Sequence, residues 1–244
     1  MSRFFVDKNS IIGDTINITG DDVYHIKRVL RLKPGDIITV NDCCGTDYQV
    51  RIERVGEDCI ITGIVDSCPN NTESNLDITL YQGLPKSDKM DFIVQKSVEL
   101  GVKRIVPVIT ERTIVRISSS RDVQNKLTRW QRVSLEAAKQ CNRGTIPQVD
   151  APVDFDKALK MAEDAELGLI PYEGESRARL GEQLKRGICS VAVMIGPEGG
   201  FSEKEVHKAT EAGIRPVTLG PRILRTETAG IVVLSIIGHE LGDI

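Results

Sequence analysis

The chain has 244 residues, 40% of them hydrophobic and 27% charged, which is the make-up of an ordinary globular protein with room for one large or two modest domains. That composition excludes collagen-like and disordered classes, and the lack of any run of eighteen or more apolar residues excludes a membrane-spanning helix. The opening Met-Ser-Arg-Phe-Phe-Val-Asp-Lys has neither the apolar stretch nor the cleavage site of a signal peptide, so a cytoplasmic protein is expected.

A formal net charge of -3 hides a strong asymmetry. Residues 1–75 carry a net of -4 and residues 149–244 a net of -5, whereas 81–148 hold thirteen Lys and Arg against six Asp and Glu. Lys86, Lys89, Lys96, Arg112, Arg116, Arg121, Arg129, Arg132 and Arg143 lie in that basic band. Such a band either grips phosphates through charge and counterion release or is a solvated helical surface. Aromatics do not interleave with these cations, so any RNA contact should be led by the backbone rather than by base stacking. The six cysteines include the adjacent Cys43 and Cys44 and no C-x-x-C pair, and His25, His207 and His239 lack ligand spacing, so reduced thiols and no metal site are expected.

In chain order, Asp22 to Arg31 places Val23, Ile26, Val29 and Leu30 on one helical face, and Lys33-Pro34-Gly35-Asp36 then turns the chain. Strands over 36–41, 47–54 and 58–66 are rich in β-branched residues and separated by turns, which suggests a small antiparallel barrel. The turn formers of Ser67 to Asn75 mark a boundary, giving domains over 1–70 and 71–244. Beyond it strands and helices alternate, the pattern of an α/β domain with a parallel sheet. Strand 76–82 precedes helix 88–100, with Met90, Ile93, Val94 and Val98 as its stripe. Strand 104–109, helices 126–140 and 155–164, strands 167–171 and 190–195, helix 203–212, strand 215–219 and a last helix over 227–240 follow. That last helix is apolar nearly all round, so either a core or a core shared with a subunit interface must cover it.

Two glycine loops carry the chemistry. Ile195-Gly196-Pro197-Glu198-Gly199-Gly200-Phe201-Ser202 leaves an apolar strand and enters a helix, with Ser202 and Glu205 spaced as a capping box. A loop at the carboxyl end of such a strand is where open α/β sheets bind ligands, although a purely structural turn has the same appearance. It matches no dinucleotide, P-loop or nucleophile-elbow template. Leu219-Gly220-Pro221-Arg222-Ile223-Leu224-Arg225-Thr226-Glu227 repeats the strand-to-helix plan. Its apolar residues suit a flat heterocycle and Arg225, Thr226 and Glu227 its rim, unless Thr226 merely caps the helix.

These loops, with Gln95-Lys96-Ser97-Val98-Glu99-Leu100-Gly101-Val102, Glu136-Ala137-Ala138-Lys139-Gln140-Cys141-Asn142-Arg143, Arg3-Phe4-Phe5-Val6 and His25-Ile26-Lys27-Arg28-Val29-Leu30-Arg31, resemble the RsmE family of ribosomal RNA methyltransferases. Tyr24 departs from the pattern, standing where the family commonly has the first of two histidines. The resemblance implies a PUA-like β-barrel followed by a SPOUT domain with a trefoil knot, and a homodimer packed through the knot region. It implies S-adenosyl-L-methionine as cofactor and N3 of a uridine in 16S rRNA of the small ribosomal subunit as target. Related enzymes acting on a ribose 2'-hydroxyl or a tRNA base, or a non-enzymatic RNA-binding module, are the alternatives. Carried over, Ile195, Gly196, Gly200, Leu219, Gly220, Ile223, Leu224, Arg225 and Thr226 are the cofactor contacts. Arg3, Arg28 and Arg31, with Lys86, Lys89, Lys96, Arg112 and Arg143 of the basic band, are the expected RNA contacts. Arg225 would supply positive charge to the uracil ring, and Glu227 or Glu198 would take its proton.

Overall fold

Runs of Ile, Val and Thr in alternation build the first third of the chain. The computed structural model describes residues 3–117 and 119–244, divided into two units. One unit holds the residues up to Glu73 together with Ala138–Ile146, and the other holds Ser74–Ala137 with Pro147–Ile244.

The first unit contains β1 (Arg3–Phe5), β2 (Ile11–Ile12), β3 (Thr15–Thr19), α1 (Asp21–Tyr24), β4 (Ile37–Asn41), β5 (Thr46–Val55) and β6 (Cys59–Pro69). Its six-stranded sheet runs β1-β4-β5-β6-β3-β2, antiparallel throughout except for β1 on β4. Alternate residues point inward, so Ile16, Ile18, Ile38, Val40, Val50, Ile52 and Ile60 form the core with Phe4. Register shifts between Gln49 and Val50 and between Ile52 and Arg54 bend the long β5–β6 hairpin.

The helix expected over 22–31 forms, but its stripe needs a correction. After α1 the chain widens into a π-helical turn, His25–Leu30. The wider turn keeps Val23 and Ile26 in the core and swings Val29 outward, leaving it 59% exposed.

Arg143 and Arg3, read from the sequence as phosphate contacts, have another task in the structure: both are buried inside this unit. Arg143 meets Glu73 through Nη2 at 2.7 Å and Nε at 3.1 Å, and the same carboxylate accepts the backbone N–H groups of Gly144 at 2.7 Å and Thr145 at 3.0 Å. Burial pulls the Glu73 pKa upward, but the Arg143 guanidinium, the Thr145 hydroxyl and the Gly144 amide outweigh it and hold the carboxyl below its ordinary value. Arg3 donates to the carbonyls of Asn142 at 2.5 Å and Arg143 at 2.6 Å and pairs with Asp47. These contacts fasten 138–146 to the barrel, so the first unit is discontinuous in sequence, unlike the expected 1–70 and 71–244 division.

The second unit contains β7 (Asp77–Gly83), α2 (Lys89–Glu99), β8 (Arg104–Ile109), α3 (Ser120–Gln140), β9 (Gln148–Val149), β10 (Val153–Asp154) and α4 (Phe155–Ala162), α3 running on past Ala137 into the first unit's segment. It continues with β11 (Leu167–Pro171), α5 (Leu180–Gln183), β12 (Ser190–Ile195), α6 (Glu203–Glu211), β13 (Arg215–Val217) and α7 (Thr226–Leu241). The sheet order is β10-β8-β7-β12-β11-β13 with β9 also on β8, and every pairing is parallel. Residues on both faces of β7, β8 and β12 are buried, as a helix-covered parallel sheet requires. In α7, Val233, Leu234 and Ile237 are buried whereas Ile231, Val232 and Ile236 are half-buried. Among the described residues no helix is long and apolar enough to cross a membrane, and no group of three or more His, Cys, Asp or Glu is placed to hold a metal ion.

Candidate active site

The order of the parallel strands puts β8 on one side of β7 and β12 on the other. Connections leave in opposite directions there, and the carboxyl ends of β7 and β12 flank the crevice where such sheets take ligands. Gly196–Gly200 leaves β12 at this point. A Cβ on Gly196 would lie 3.0 Å from the Gly200 backbone, and Gly200 has φ +66°, so this tight loop needs glycine at both places. The loop ends in the expected capping box: Ser202 Oγ accepts from the Glu205 amide at 3.3 Å and the Glu205 carboxylate from the Ser202 amide at 2.9 Å.

The second loop, between β13 and α7, reaches the first. Thr226 Oγ1 donates to the Gly196 carbonyl at 2.6 Å. Ile195, Gly196, Gly200, Ile223, Leu224, Arg225 and Thr226 line one hollow of about 480 Å³, and Leu219 and Gly220 line another of about 830 Å³. The two hollows share Pro171, Glu173, Ile223, Leu224 and Ala229, so all nine residues assigned to a cofactor wall adjoining cavities. Both lie within the roughly 300–1,000 Å³ of small-molecule sites.

Sequence reasoning missed Gln82, Gly83, Pro171 and Glu173 here. A lone glycine after a strand has no motif, yet a Cβ on Gly83 would lie 2.5 Å from the Pro197 nitrogen and 2.9 Å from the Gly196 carbonyl carbon. Both are backbone atoms with no side-chain freedom to yield. Gly83→Ala is therefore expected to destabilise the protein by about 1–3 kcal/mol and to abolish the calorimetric heat of ligand binding at this crevice. A wild-type melting temperature and isotherm would refute the close approach.

Charge is arranged on one wall. Lys89 Nζ lies 3.1 Å from Glu198 Oε1 and 3.4 Å from Glu227 Oε2. Hydrogen bonding to Glu198 raises the Lys89 pKa, desolvation opposes this, and Glu227 adds to the rise. Burial pulls the Glu198 pKa up, but its own backbone amide, the Lys86 amide at 3.0 Å and the Lys89 ammonium prevail, so it is lowered. Glu227 Oε2 is buried without a hydrogen bond, 3.4 Å from Lys89. Arg225 is exposed at the rim, with no side-chain partner among the described residues.

A model of an RNA methyltransferase domain matches residues 72–238, and one of an RNA methyltransferase PUA domain matches residues 18–63. Ribosomal RNA small subunit methyltransferase E of Bacillus subtilis strain 168 is 32% identical over 98% of this chain and 97% of that protein. The chain belongs to the ribosomal RNA small subunit methyltransferase E family. The protein of that name from Synechocystis is 34% identical over 96% of this chain and 76% of its own length. A crystal structure of methyltransferase E from Neisseria gonorrhoeae bound to S-adenosyl methionine is 36% identical, with a TM-score of 0.89 over 99% of this chain and 98% of that one. The architecture is thus that of the methyltransferase E family, a PUA-like barrel and a parallel-sheet domain.

Among the other residues expected to contact RNA, Arg28, Arg31, Lys86 and Arg112 are exposed, and Lys96 is paired with Glu99 at 2.8 Å. Arg112 also donates to the Gly199 carbonyl at 2.8 Å, tying the basic band to the Gly196–Gly200 loop. Lys89 also lines the cavity.

Proposed function

We propose that the chain transfers the methyl group of S-adenosyl-L-methionine to N3 of a uridine in 16S rRNA. The observation that carries this reading is the Thr226–Gly196 hydrogen bond, which closes the two glycine loops around adjoining cavities. The residues fit the cofactor. Bare glycine backbone at 196 and 200 offers amides and carbonyls to a heterocycle, and Leu219, Ile223 and Leu224 offer it apolar surface. The carboxylates of Glu173 and Glu198 at or near the wall favour a cation.

When bound, the sulfonium supplies an electrophilic methyl group for in-line displacement. The chain's residues align the uracil N3 with it and exclude water. N3 carries a proton at neutral pH, so the ring must become anionic before or during attack. Arg225, exposed at the rim, stabilises that anion. Glu198 is held ionised by the Lys86 amide and Lys89, which makes it a poor proton acceptor. Glu227, which meets Lys89 at 3.4 Å against 3.1 Å for Glu198, takes the N3 proton directly or through water.

The enzyme acts on small-subunit particles in the cytoplasm as a homodimer. Half-buried Ile231, Val232 and Ile236 on α7, with Ile223 at 88% exposure beside the cavity, supply the apolar face that a second copy covers. The deciding experiment incubates the protein with methyl-labelled cofactor and small subunits lacking the modification, then maps the labelled nucleoside. Label on uracil N3 is expected; label on a ribose, or none, would overturn the reading. For RNA affinity, reversing exposed Lys86 and Arg116 to Glu should shallow the log–log salt dependence by about 0.7–0.9 for each phosphate that is no longer neutralised. Superimposable salt titrations would remove these two cations from the RNA track.

A further inference from the structure

Gln82 closes β7 just before Gly83 and is completely buried. Its Nε2 donates to the Gly83 carbonyl at 3.0 Å and to Thr226 Oγ1 at 2.9 Å. The Gly83 carbonyl decides which end of the amide faces it, because the reverse orientation would set two acceptors against each other. Thr226 has a single hydroxyl hydrogen. With its oxygen accepting from Gln82, that hydrogen is directed at the Gly196 carbonyl, 2.6 Å away. Three groups in series thus link the end of β7, the start of α7 and the first residue of the cofactor loop. Gln82 Oε1 is buried with no hydrogen-bond partner, a burden that an apolar side chain of the same size would avoid, so stability alone does not account for an amide here.

We propose that Gln82 is a positioning residue for methyl transfer: it orients the Thr226 hydroxyl, which in turn fixes the Gly196 carbonyl and with it the shape of the cofactor loop. The inference rests on the methyltransferase reading, but its geometry belongs to the protein without cofactor. Gln82 touches neither reactant. It acts through Thr226.

Four substitutions separate this role from simple packing. Gln82→Glu, assayed at a pH high enough to ionise the buried carboxyl, offers only acceptors, so the Thr226 hydroxyl turns toward the carboxylate and the Gly196 carbonyl loses its donor. Gln82→Met keeps the volume and leaves Thr226 free to donate to Gly196. Thr226→Val removes the link altogether. The dissociation constant for S-adenosylmethionine, by calorimetry, and its KM should rise roughly tenfold or more in Gln82→Glu and less in Gln82→Met. In a Thr226→Val background neither substitution at 82 should add to the loss. Hydrogen exchange at the 196–200 amides, measured without cofactor, should speed up in Gln82→Glu and in Thr226→Val but stay slow in Thr226→Ser.

Losses at 82 and 226 that simply add, or loop exchange unchanged in Gln82→Glu, would overturn the proposal. Should Gln82→Glu fail to fold, the cycle of Gln82→Met with Thr226→Val decides by the same criterion. A wild-type protein that gives no binding heat with S-adenosylmethionine would sink the methyltransferase reading instead, and the exchange data would still judge Gln82.

Discussion

Arg225→Ala is expected to lower kcat for methyl transfer by roughly 10²–10³-fold, the usual consequence of removing one preorganised charge from a developing anion. The guanidinium is exposed at the cavity rim and makes no side-chain bond among the described residues, so the melting temperature should stay close to wild type. Single-turnover methylation of small-subunit particles at saturating cofactor measures the chemical step directly. The residual rate of the variant should climb further with rising pH than the wild-type rate, because solvent alkalinity substitutes for the missing charge in removing the N3 proton. Arg225→Lys keeps a cation but not the planar fork, and should fall between the two. Wild-type turnover in Arg225→Ala would take this residue out of the mechanism.

Glu73→Ala should lower the stability of the barrel by about 3–5 kcal/mol, because it removes the carboxylate that meets the buried Arg143 guanidinium and accepts the Gly144 and Thr145 amides. The Arg143 side chain is 4% exposed, too little for water to replace the carboxylate. The effect has a definite pH signature. The Glu73 pKa is depressed in the folded protein, so its stabilisation is complete above the unfolded-state pKa and is lost as pH falls through the lower folded value. Urea denaturation curves of wild type and variant should accordingly lie far apart at neutral pH and converge in acid. A gap that is constant with pH would show that the carboxylate charge is not what secures 138–146.

Much of the fold follows from local pattern. Strands β8, β11 and β12 begin and end where apolar runs meet turn formers, and the helix cap at Ser202 is spelled out in consecutive residues, whereas α7 starts after Arg225 with no side-chain cap and Thr226 bonds Gly196 instead. What escapes local pattern is what depends on partners distant in sequence. The first turns of α3, Ser120 to Asn125, have no apolar stripe, so periodicity starts the helix at 126. The two-residue strands β9 and β10 are too short to show alternation. Val29 is misplaced because a 3.6-residue period cannot anticipate a π turn. Arg3 and Arg143 have the composition of phosphate contacts and become buried struts through residues 47, 73 and 142. The same holds at the site. Each glycine loop is contiguous and therefore visible, whereas Gln82 and Gly83 matter only because β7 lies beside β12 in the sheet.

The first unit is interrupted by 64 residues between Glu73 and Ala138. During synthesis from the amino end, the barrel strands therefore leave the ribosome well before the segment that supplies the carbonyls for Arg3 and the guanidinium for Glu73. Until that segment arrives, Arg3 and Glu73 face water without the partners that 138–146 brings, although all six strands of the barrel have already emerged. A chain cut after Glu73 would be held permanently in that unfinished condition, which makes it a poor surrogate for the barrel as it exists in the whole enzyme.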